Sequence, residues 1–285
     1  MVKRLLILFT LLASISYCFA QRERLDRITD SISNEGKALY RSEWASWYGT
    51  DIFVAKCPEI RKHSGGYFSY ETADNLVNLF FSKDAEPVVI ATITFGKDFN
   101  SENYKLDTLP RKLNKTEYEY YAIRTAALKR SQTDTTFKHF KNTSLNMIPL
   151  VQKDVKKVYA LTGPDVNGVV IFGNDYLINF NKGDEITSVK TLHKNIIPIY
   201  IKTDSGKTAV ETMHSHLPET GDFITATDIC TLMLYENSTG WKRHSVISKN
   251  DISIWDCKKN TLLILTMEAW KRIEDDQKTR HPDKQ

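Results

Sequence analysis

The sequence predicts an α+β protein in which an antiparallel meander with helices comes first and a mixed β-sheet with a flanking helix follows. Two observations predict this class. Segments with a period of two and β-branched or aromatic side chains alternate with a few helix-like segments, and the first predicted strands are joined by short links of turn residues. The chain has 285 residues and is 41% hydrophobic, which is enough for a substantial core.

The first twenty residues have the pattern of a secretory signal peptide. The basic residues Lys3 and Arg4 precede an apolar run over 5–12, which is far shorter than the roughly 20 residues of a membrane-spanning helix. A cleavage site of the small-x-small type then ends at Ala20. We therefore expect a mature chain that starts near Gln21, has no membrane span and is secreted or periplasmic.

A lipoprotein signal is the alternative interpretation of this leader, with Cys18 as the lipidated residue. Tyr17 argues against it, because a small residue is wanted just before such a cysteine. We interpret the leader as bacterial in either case.

The charge balance argues against nucleic acid as a partner. The formal net charge is +4, and removal of Lys3 and Arg4 with the leader leaves +2. The remaining charges are mixed along the chain, whereas a nucleic-acid-binding surface needs a basic patch.

Three cysteines remain after cleavage, namely Cys57, Cys230 and Cys257. An odd number cannot pair completely, and their spacings contain no CxxC motif. One disulfide, such as Cys230 with Cys257, and buried free thiols are both open.

The first half of the mature chain reads as a helix, a meander and a second helix. Residues 21–41 are polar and helix-like, and Thr116 is the predicted cap of the second helix. A polar, poorly periodic stretch over 131–145 marks a boundary, which gives an N-terminal α+β module over 21–145. The predicted elements of the meander and its helix are the strands Tyr67–Glu71, Leu76–Ser82 and Val88–Phe95 and the helix Glu117–Arg130.

The second half, residues 146–285, reads as a mixed sheet with one helix inserted after its most polar strand. The predicted strands are Val155–Leu161, Val169–Phe172, Tyr176–Phe180, Ile196–Ile201, Val210–Ser215, Lys242–Ile247, Ile252–Trp255 and Leu262–Met267, and the predicted helix is Ala226–Tyr235.

One segment of this second half has the pattern of a metal site. His214 and His216 are two apart on a predicted strand, so both imidazoles lie on one face of it. After a turn, Thr225 is a natural N-cap, and Asp228 lies in the first turn of the following helix. Two histidines and one carboxylate leave a tetrahedral zinc ion with a fourth position for water, which is the arrangement of a catalytic site.

The pattern resembles the JAB1/MPN/Mov34 metalloproteases, whose signature is H-x-H, usually followed by proline, and then S-x-x-D at a helix start. The likeness covers about Val155 to Met267. It implies that His214, His216 and Asp228 bind zinc and that the Thr225 hydroxyl, in the place of the family's serine, helps to stabilise an oxyanion.

The chain departs from the family in its loop and in its general base. Proline comes one place late, and the loop before the T-x-x-D motif is one residue longer. The family's catalytic glutamate lies on an early strand, and the matching strand here contains none. Asp165 and Asp175 flank that strand, Glu185 lies one hairpin further on, and Glu211 comes shortly before the histidines, but none is where the resemblance requires the base.

Two functions follow from these observations. The first is a zinc-dependent peptidase or isopeptidase acting on a peptide or protein. The second is a catalytically inactive binding or scaffold protein of the same fold, which the missing glutamate favours. A T-x-x-D motif is also an ordinary capping box without catalytic meaning. The other five histidines show no ligand-like neighbours in the sequence, and we interpret them as ordinary surface or core residues: His63, His139, His193, His244 and His281.

Overall fold

A computed structural model describes the backbone of residues 2–202, 206 and 208–280, and side chains from residue 22 onwards. Cleavage after Ala20 stays a prediction, and the side chain of Cys18 and all of His281 lie outside the described residues. No helix among the described residues is both long and apolar enough to cross a membrane.

The described part of the chain is α+β, as predicted. The helices are α1 (Val2–Lys56), α2 (Pro58–Arg61), α3 (Lys115–Thr133), α4 (Ala226–Thr239) and α5 (Met267–Arg280). The strands are β1 (Ser64–Glu71), β2 (Asn75–Ser82), β3 (Val88–Gly96), β4 (Tyr104–Asp107), β5 (Arg111–Lys112), β6 (Thr143–Gln152), β7 (Val155–Pro164), β8 (Val169–Gly173), β9 (Tyr176–Phe180), β10 (Ile186–Thr191), β11 (Ile196–Tyr200), β12 (Glu211–Ser215), β13 (Arg243–Ile247), β14 (Asp251–Asp256) and β15 (Thr261–Thr266).

The predicted N-terminal meander is confirmed. β1, β2 and β3 pair antiparallel in sequence order, and the short strands β4 and β5 both add to β3. α1 covers this sheet with Trp44 and Phe53, which are buried, and Phe53 stacks on Phe80 with ring centroids 3.8 Å apart. The aromatic side chains of α1 therefore join the helix to the meander.

A second antiparallel sheet has the order β10-β9-β7-β6 and packs against α3. Neither β6 nor β10 was expected from the sequence. β10 has the polar sequence Ile-Thr-Ser-Val-Lys-Thr and exposes half of its residues, so its apolar signal is weak. Residue 145, where we place the module boundary, lies in β6, and the division into modules stays a prediction.

The mixed C-terminal sheet has the order β12-β13-β14-β15 and is confirmed as a mixed sheet. β12 pairs parallel with β13, whereas the other two pairings are antiparallel. A parallel pair needs a crossover connection, and α4 supplies it. The first turn of α4 therefore lies near the end of β12, where the predicted metal ligands are.

The cap of α3 differs from the prediction. Asn114 is the N-cap, in place of Thr116, and its side chain accepts a hydrogen bond from the backbone N–H of Glu117 at 2.9 Å. The Glu117 carboxylate accepts in return from the backbone N–H of Asn114 at 2.9 Å, which completes a capping box. Asn114 and Thr116 are both good caps in isolation, and each is followed three residues later by a glutamate, Glu117 or Glu119, so the local pattern alone does not decide between them.

Cys57, Cys230 and Cys257 are all free and buried, so the structure favours the free-thiol alternative over a disulfide between Cys230 and Cys257.

Replacing Gly36 with alanine is expected to destabilise the protein by about 1–3 kcal/mol, the usual cost of overpacking. A Cβ at this position would lie 2.7 Å from Ile229 and 3.1 Å from the carbonyl oxygen of Ala226, where α1 crosses α4. A loss of stability would be informative, because replacing glycine with alanine in a helix interior otherwise stabilises a protein by about 0.5–1 kcal/mol. Denaturant unfolding measures the change. Gly163→Ala is the control, since nothing lies within 4 Å of its added Cβ, and equal effects would contradict the close crossing.

Replacing Glu43 with glutamine is expected to weaken the pH dependence of stability. Burial raises the pKa of Glu43 to about 7, against hydrogen bonding from Asn146 and the charge of Arg124. Between the ordinary pKa of a glutamate and pH 7, Glu43 therefore keeps its proton in the folded chain and loses it in the unfolded chain. The free energy of unfolding that this proton contributes is present at low pH and is lost as the pH rises towards 7.

The wild type should therefore lose about 2–3 kcal/mol more than Glu43→Gln between pH 5 and pH 8. Urea unfolding at the two pH values measures this difference. Glu102→Gln, at an exposed position, should lose as much stability between the two pH values as the wild type does. The same loss in Glu43→Gln would contradict the prediction.

Candidate metal centre

His214, in β12, and His216, the first residue after β12, face the same side, as predicted. His214 and His216 are buried, at 7% and 6% exposure, whereas Met213 is 64% exposed. Glu211 lies on the exposed face with Met213, where it pairs with Arg243 at 3.7 Å. The alternation of the strand therefore directs both imidazoles inwards and removes Glu211 from the site.

Asp228 is fixed by the capping box at the start of α4. One carboxylate oxygen, Oδ2, accepts from the Thr225 backbone N–H at 2.9 Å and from the Thr225 hydroxyl at 2.8 Å, while the Asp228 N–H donates to that hydroxyl at 3.1 Å. The other oxygen, Oδ1, is buried without a hydrogen-bond partner. The cap thus holds the carboxylate in place and leaves one of its oxygens available.

The structure brings the three predicted ligands together. The Nε2 atoms of His214 and His216 are 3.0 Å apart. Asp228 Oδ1 lies 3.9 Å from His214 Nε2, and Asp228 Oδ2 lies 3.7 Å from His216 Nε2. The connection from β12 into α4 is what places the carboxylate beside the imidazoles.

His193 is a fourth member of the cluster, and our interpretation of it as an ordinary histidine is wrong. It is 5% exposed, and its Nε2 lies 2.9 Å from His216 Nε2 and 3.8 Å from Asp228 Oδ2. One nitrogen from each histidine and one oxygen of Asp228 lie within 4.8 Å of one another, and this buried group could hold a metal ion.

The β9–β10 hairpin carries His193 to the site. Tyr176 pairs with Thr191 at the open end of the hairpin, and the N–H of Leu192 donates to the carbonyl oxygen of Asp175 at 2.8 Å. Asp175 and His193 therefore emerge side by side. The strand predicted over Tyr176–Phe180 is confirmed. His193 follows β10, the hairpin partner of this strand, so a prediction of β10 would have placed His193 near Asp175.

A tight turn before the hairpin makes room for His193. Gly173 has a positive φ of 82°, and Asn174, with a φ of 52°, follows it. A Cβ on Gly173 would lie 2.3 Å from the carbonyl oxygen of Asn195 and 3.3 Å from the Cβ of His193. Only glycine fits this close approach with this backbone conformation.

Asp175 orients the His193 ring. Its Oδ1 lies 2.6 Å from His193 Nδ1, and its Oδ2 accepts a hydrogen bond from the Thr227 hydroxyl in the first turn of α4. Asp175 is 1% exposed. Both of its oxygens are thus engaged, and the His193 Nε2 is directed towards the other ligands.

His214 is oriented by a second histidine. Its Nδ1 lies 2.9 Å from His244 Nε2, and His244 Nδ1 lies 2.8 Å from the Thr212 hydroxyl. Burial is the main reason that the pKa of His244 falls to about 3, so this ring is neutral. The Phe172 ring stacks on it at 4.9 Å between centroids. His244 therefore belongs to the surroundings of the site, which its sequence neighbours did not indicate.

The ring nitrogens fit a metal ion better than a hydrogen-bond network. His216 Nε2 faces the Nε2 atoms of both His193 and His214, but a ring nitrogen has either one proton or one lone pair. A metal ion instead binds the lone pairs of all three and leaves the protons on Nδ1. Those of His193 and His214 then face Asp175 and His244, which is the usual outer shell of metal-bound histidines. His216 Nδ1 is buried without a partner.

The spacing of the nitrogens is also close to that of zinc ligands. Two nitrogens on one tetrahedral zinc ion, each at about 2.1 Å, lie about 3.4 Å apart. The two contacts at 2.9 and 3.0 Å are slightly shorter than this. Only a small outward movement of the rings would therefore be needed.

Burial and charge set the protonation of the cluster. Burial works against a charge on His193, but Asp228 and Asp175 outweigh it and raise the pKa of His193 to about 9. Burial lowers the pKa of His214, and it lowers that of His216 to about 4. Although burial alone would raise it, the pKa of Asp228 lies below its ordinary value because three histidines surround the carboxylate. Without a metal ion, the cluster thus holds an ionised carboxylate, a protonated His193 and two neutral imidazoles at neutral pH.

The sequence offered four carboxylates as candidate general bases, and none of these four is available at the site. Asp165 is exposed, and Glu185 accepts from the Asn181 side chain at 2.8 Å in the exposed hairpin turn. Glu211 points away, and Asp175 is bound to His193 and Thr227.

Fold and site together define an α+β chain with a buried cluster of three histidines and one aspartate that could hold a metal ion. Comparison with protein-family models, with curated proteins and with solved structures finds no match to this chain.

Proposed function

We propose that this chain is a zinc-dependent hydrolase of a peptide or isopeptide bond, with His214, His216 and Asp228 as zinc ligands. The observation that supports it is the convergence of these three side chains at the start of α4. Imidazole and carboxylate donors suit zinc, although imidazole also binds copper, iron and nickel. The resemblance to the JAB1/MPN/Mov34 metalloproteases supplies the reaction class.

Held by His214, His216 and Asp228, zinc would lower the pKa of a water and polarise the substrate carbonyl. Hydrolysis would join the oxygen of that water to the carbonyl carbon, break the C–N bond and transfer one proton of the water to the departing amine. Thr225 is the residue that we assign to the oxyanion. Its hydroxyl already donates to Asp228, so this role requires the hydroxyl to turn towards the substrate.

A catalytically inactive binding or scaffold protein is the second candidate, and one observation favours it. Among the described residues of the cluster, Asp228 is a ligand and Asp175 has both oxygens engaged. No carboxylate there is free to accept a proton from water, a contribution worth about 10²–10⁴-fold in rate.

We place this function outside the cytosol, because the leader has the pattern of a signal peptide. The donor set agrees with that compartment, since imidazole and carboxylate do not oxidise as free thiolates do. The partner we propose is a peptide or protein.

Metal analysis of the purified mature chain tests the proposal. We expect about one zinc per chain in the wild type and none in His214→Ala or Asp228→Ala. A peptide-library digest with and without a chelator then separates the two candidates. Cleavage that the chelator abolishes supports the hydrolase, and zinc without cleavage supports the scaffold. A metal-free wild type overturns the hydrolase and any scaffold that holds the metal.

A further inference from the structure

We infer that His193 is a fourth protein ligand and that Asp175, anchored by Thr227, is the positioning residue that holds it there, so that the metal centre is closed to water. This inference rests on the metal site of the proposed function, but it does not require hydrolysis.

The position of His193 is that of a ligand. If a water lay between the zinc ion and His193, this ring would stand back from the other ligands. Instead, His193 Nε2 is 2.9 Å from His216 Nε2, about as close as His214 Nε2 at 3.0 Å. The two rings therefore approach His216 equally, from two different elements of the fold.

The surroundings of His193 hold it in that position. Its Nδ1 contacts one oxygen of Asp175, and the other oxygen is bound by the hydroxyl of Thr227. Thr227 is adjacent to Asp228 in the first turn of α4. The hairpin that carries His193 is thus tied to the helix that carries the aspartate ligand, and all these side chains are buried.

Four protein ligands fill the coordination of a tetrahedral zinc ion. Sites of this kind are structural, whereas catalytic sites keep a position for water. Hydrolysis at this centre would therefore require His193 to leave the metal. The sequence motif alone, with its three ligands, indicated an open site.

Two measurements on the metal-loaded mature chain test the inference. X-ray absorption on the zinc form counts the imidazoles, and we expect three in the wild type. The cobalt form is then titrated with azide, which binds only at an open position. We expect no change in the visible spectrum of the wild type and a saturable change in His193→Ala.

Asp175 is tested by graded substitution. Asp175→Ala should bind zinc about 10–100-fold more weakly, the usual effect of removing an outer-shell partner, and should allow azide to bind. Asp175→Asn, which still offers an oxygen to His193 Nδ1, should restore most of the closed spectrum. A residue that served only stability would lower the unfolding temperature without opening the centre. His139→Ala, at an exposed histidine, is the matched control.

The outcomes separate this inference from the proposed function. Two imidazoles, or azide binding to the wild type, overturn the closed centre but leave the hydrolase intact. Three imidazoles without azide binding support the closed centre, whether or not any peptide is cleaved. The wild-type measurements decide the matter even if His193→Ala fails to fold, and a wild type without metal overturns both.

Discussion

For the metal centre that we propose, removal of the ion with a chelator is expected to lower the midpoint of thermal unfolding by about 10 °C. A ligand that binds only the folded state at about 1,000 times its Kd contributes about 4 kcal/mol, and each kcal/mol shifts the midpoint by about 2–4 °C in a chain of this size. The side chains of the cluster come from the end of β12, from α4 and from the end of the β9–β10 hairpin. Loss of the metal ion should therefore weaken the contacts among these three elements.

Calorimetry or circular dichroism with and without chelator measures this shift. Asp228→Ala should unfold at the same temperature with and without chelator, because it has no metal to lose. His139→Ala should keep the full wild-type difference, since its imidazole is exposed and lies outside the cluster. An unaltered midpoint in the chelated wild type would argue that no metal supports the fold.

The sequence predicted those parts of the site that are close together along the chain. The H-x-H spacing on a strand and the T-x-x-D cap at a helix start are local patterns, and both have the predicted geometry. The strand alternation sets the direction of His214 and His216, and the cap fixes Asp228. The histidines and Asp228 come together because α4 is the crossover connection between the parallel strands β12 and β13.

The fourth member of the cluster was not predictable by the same means. His193 lies more than twenty residues before His214, and its position depends on the β9–β10 register and on the turn at Gly173. β10 is polar and half exposed, so periodicity gave no sign of it. The strand β6 was missed for a different reason: it begins inside a stretch that appeared polar and irregular, although its residues 147–150 are apolar and buried. Contacts between elements, rather than patterns within one, decide where His193 lies.

The aromatic residue behind the histidines should matter for both fold and site. Phe172 is 1% exposed, and its ring centroid lies 4.9 Å from that of His244 and 5.5 Å from that of His214. Phe172→Ala should destabilise the protein by about 3–5 kcal/mol, because it leaves a cavity in the core. That is a large part of the roughly 5–15 kcal/mol by which domains are stable.

A smaller substitution separates stability from metal binding. Phe172→Leu should remain folded but bind zinc more weakly than the wild type, because the flat contact that holds His244 against His214 is lost. Denaturant unfolding and competitive zinc titration measure the two effects. Tyr118→Ala removes a ring that is 55% exposed on α3, and it should change stability by no more than about 0.5 kcal/mol. Wild-type zinc affinity in Phe172→Leu would mean that Thr212 and the buried position of His244 suffice to orient His214.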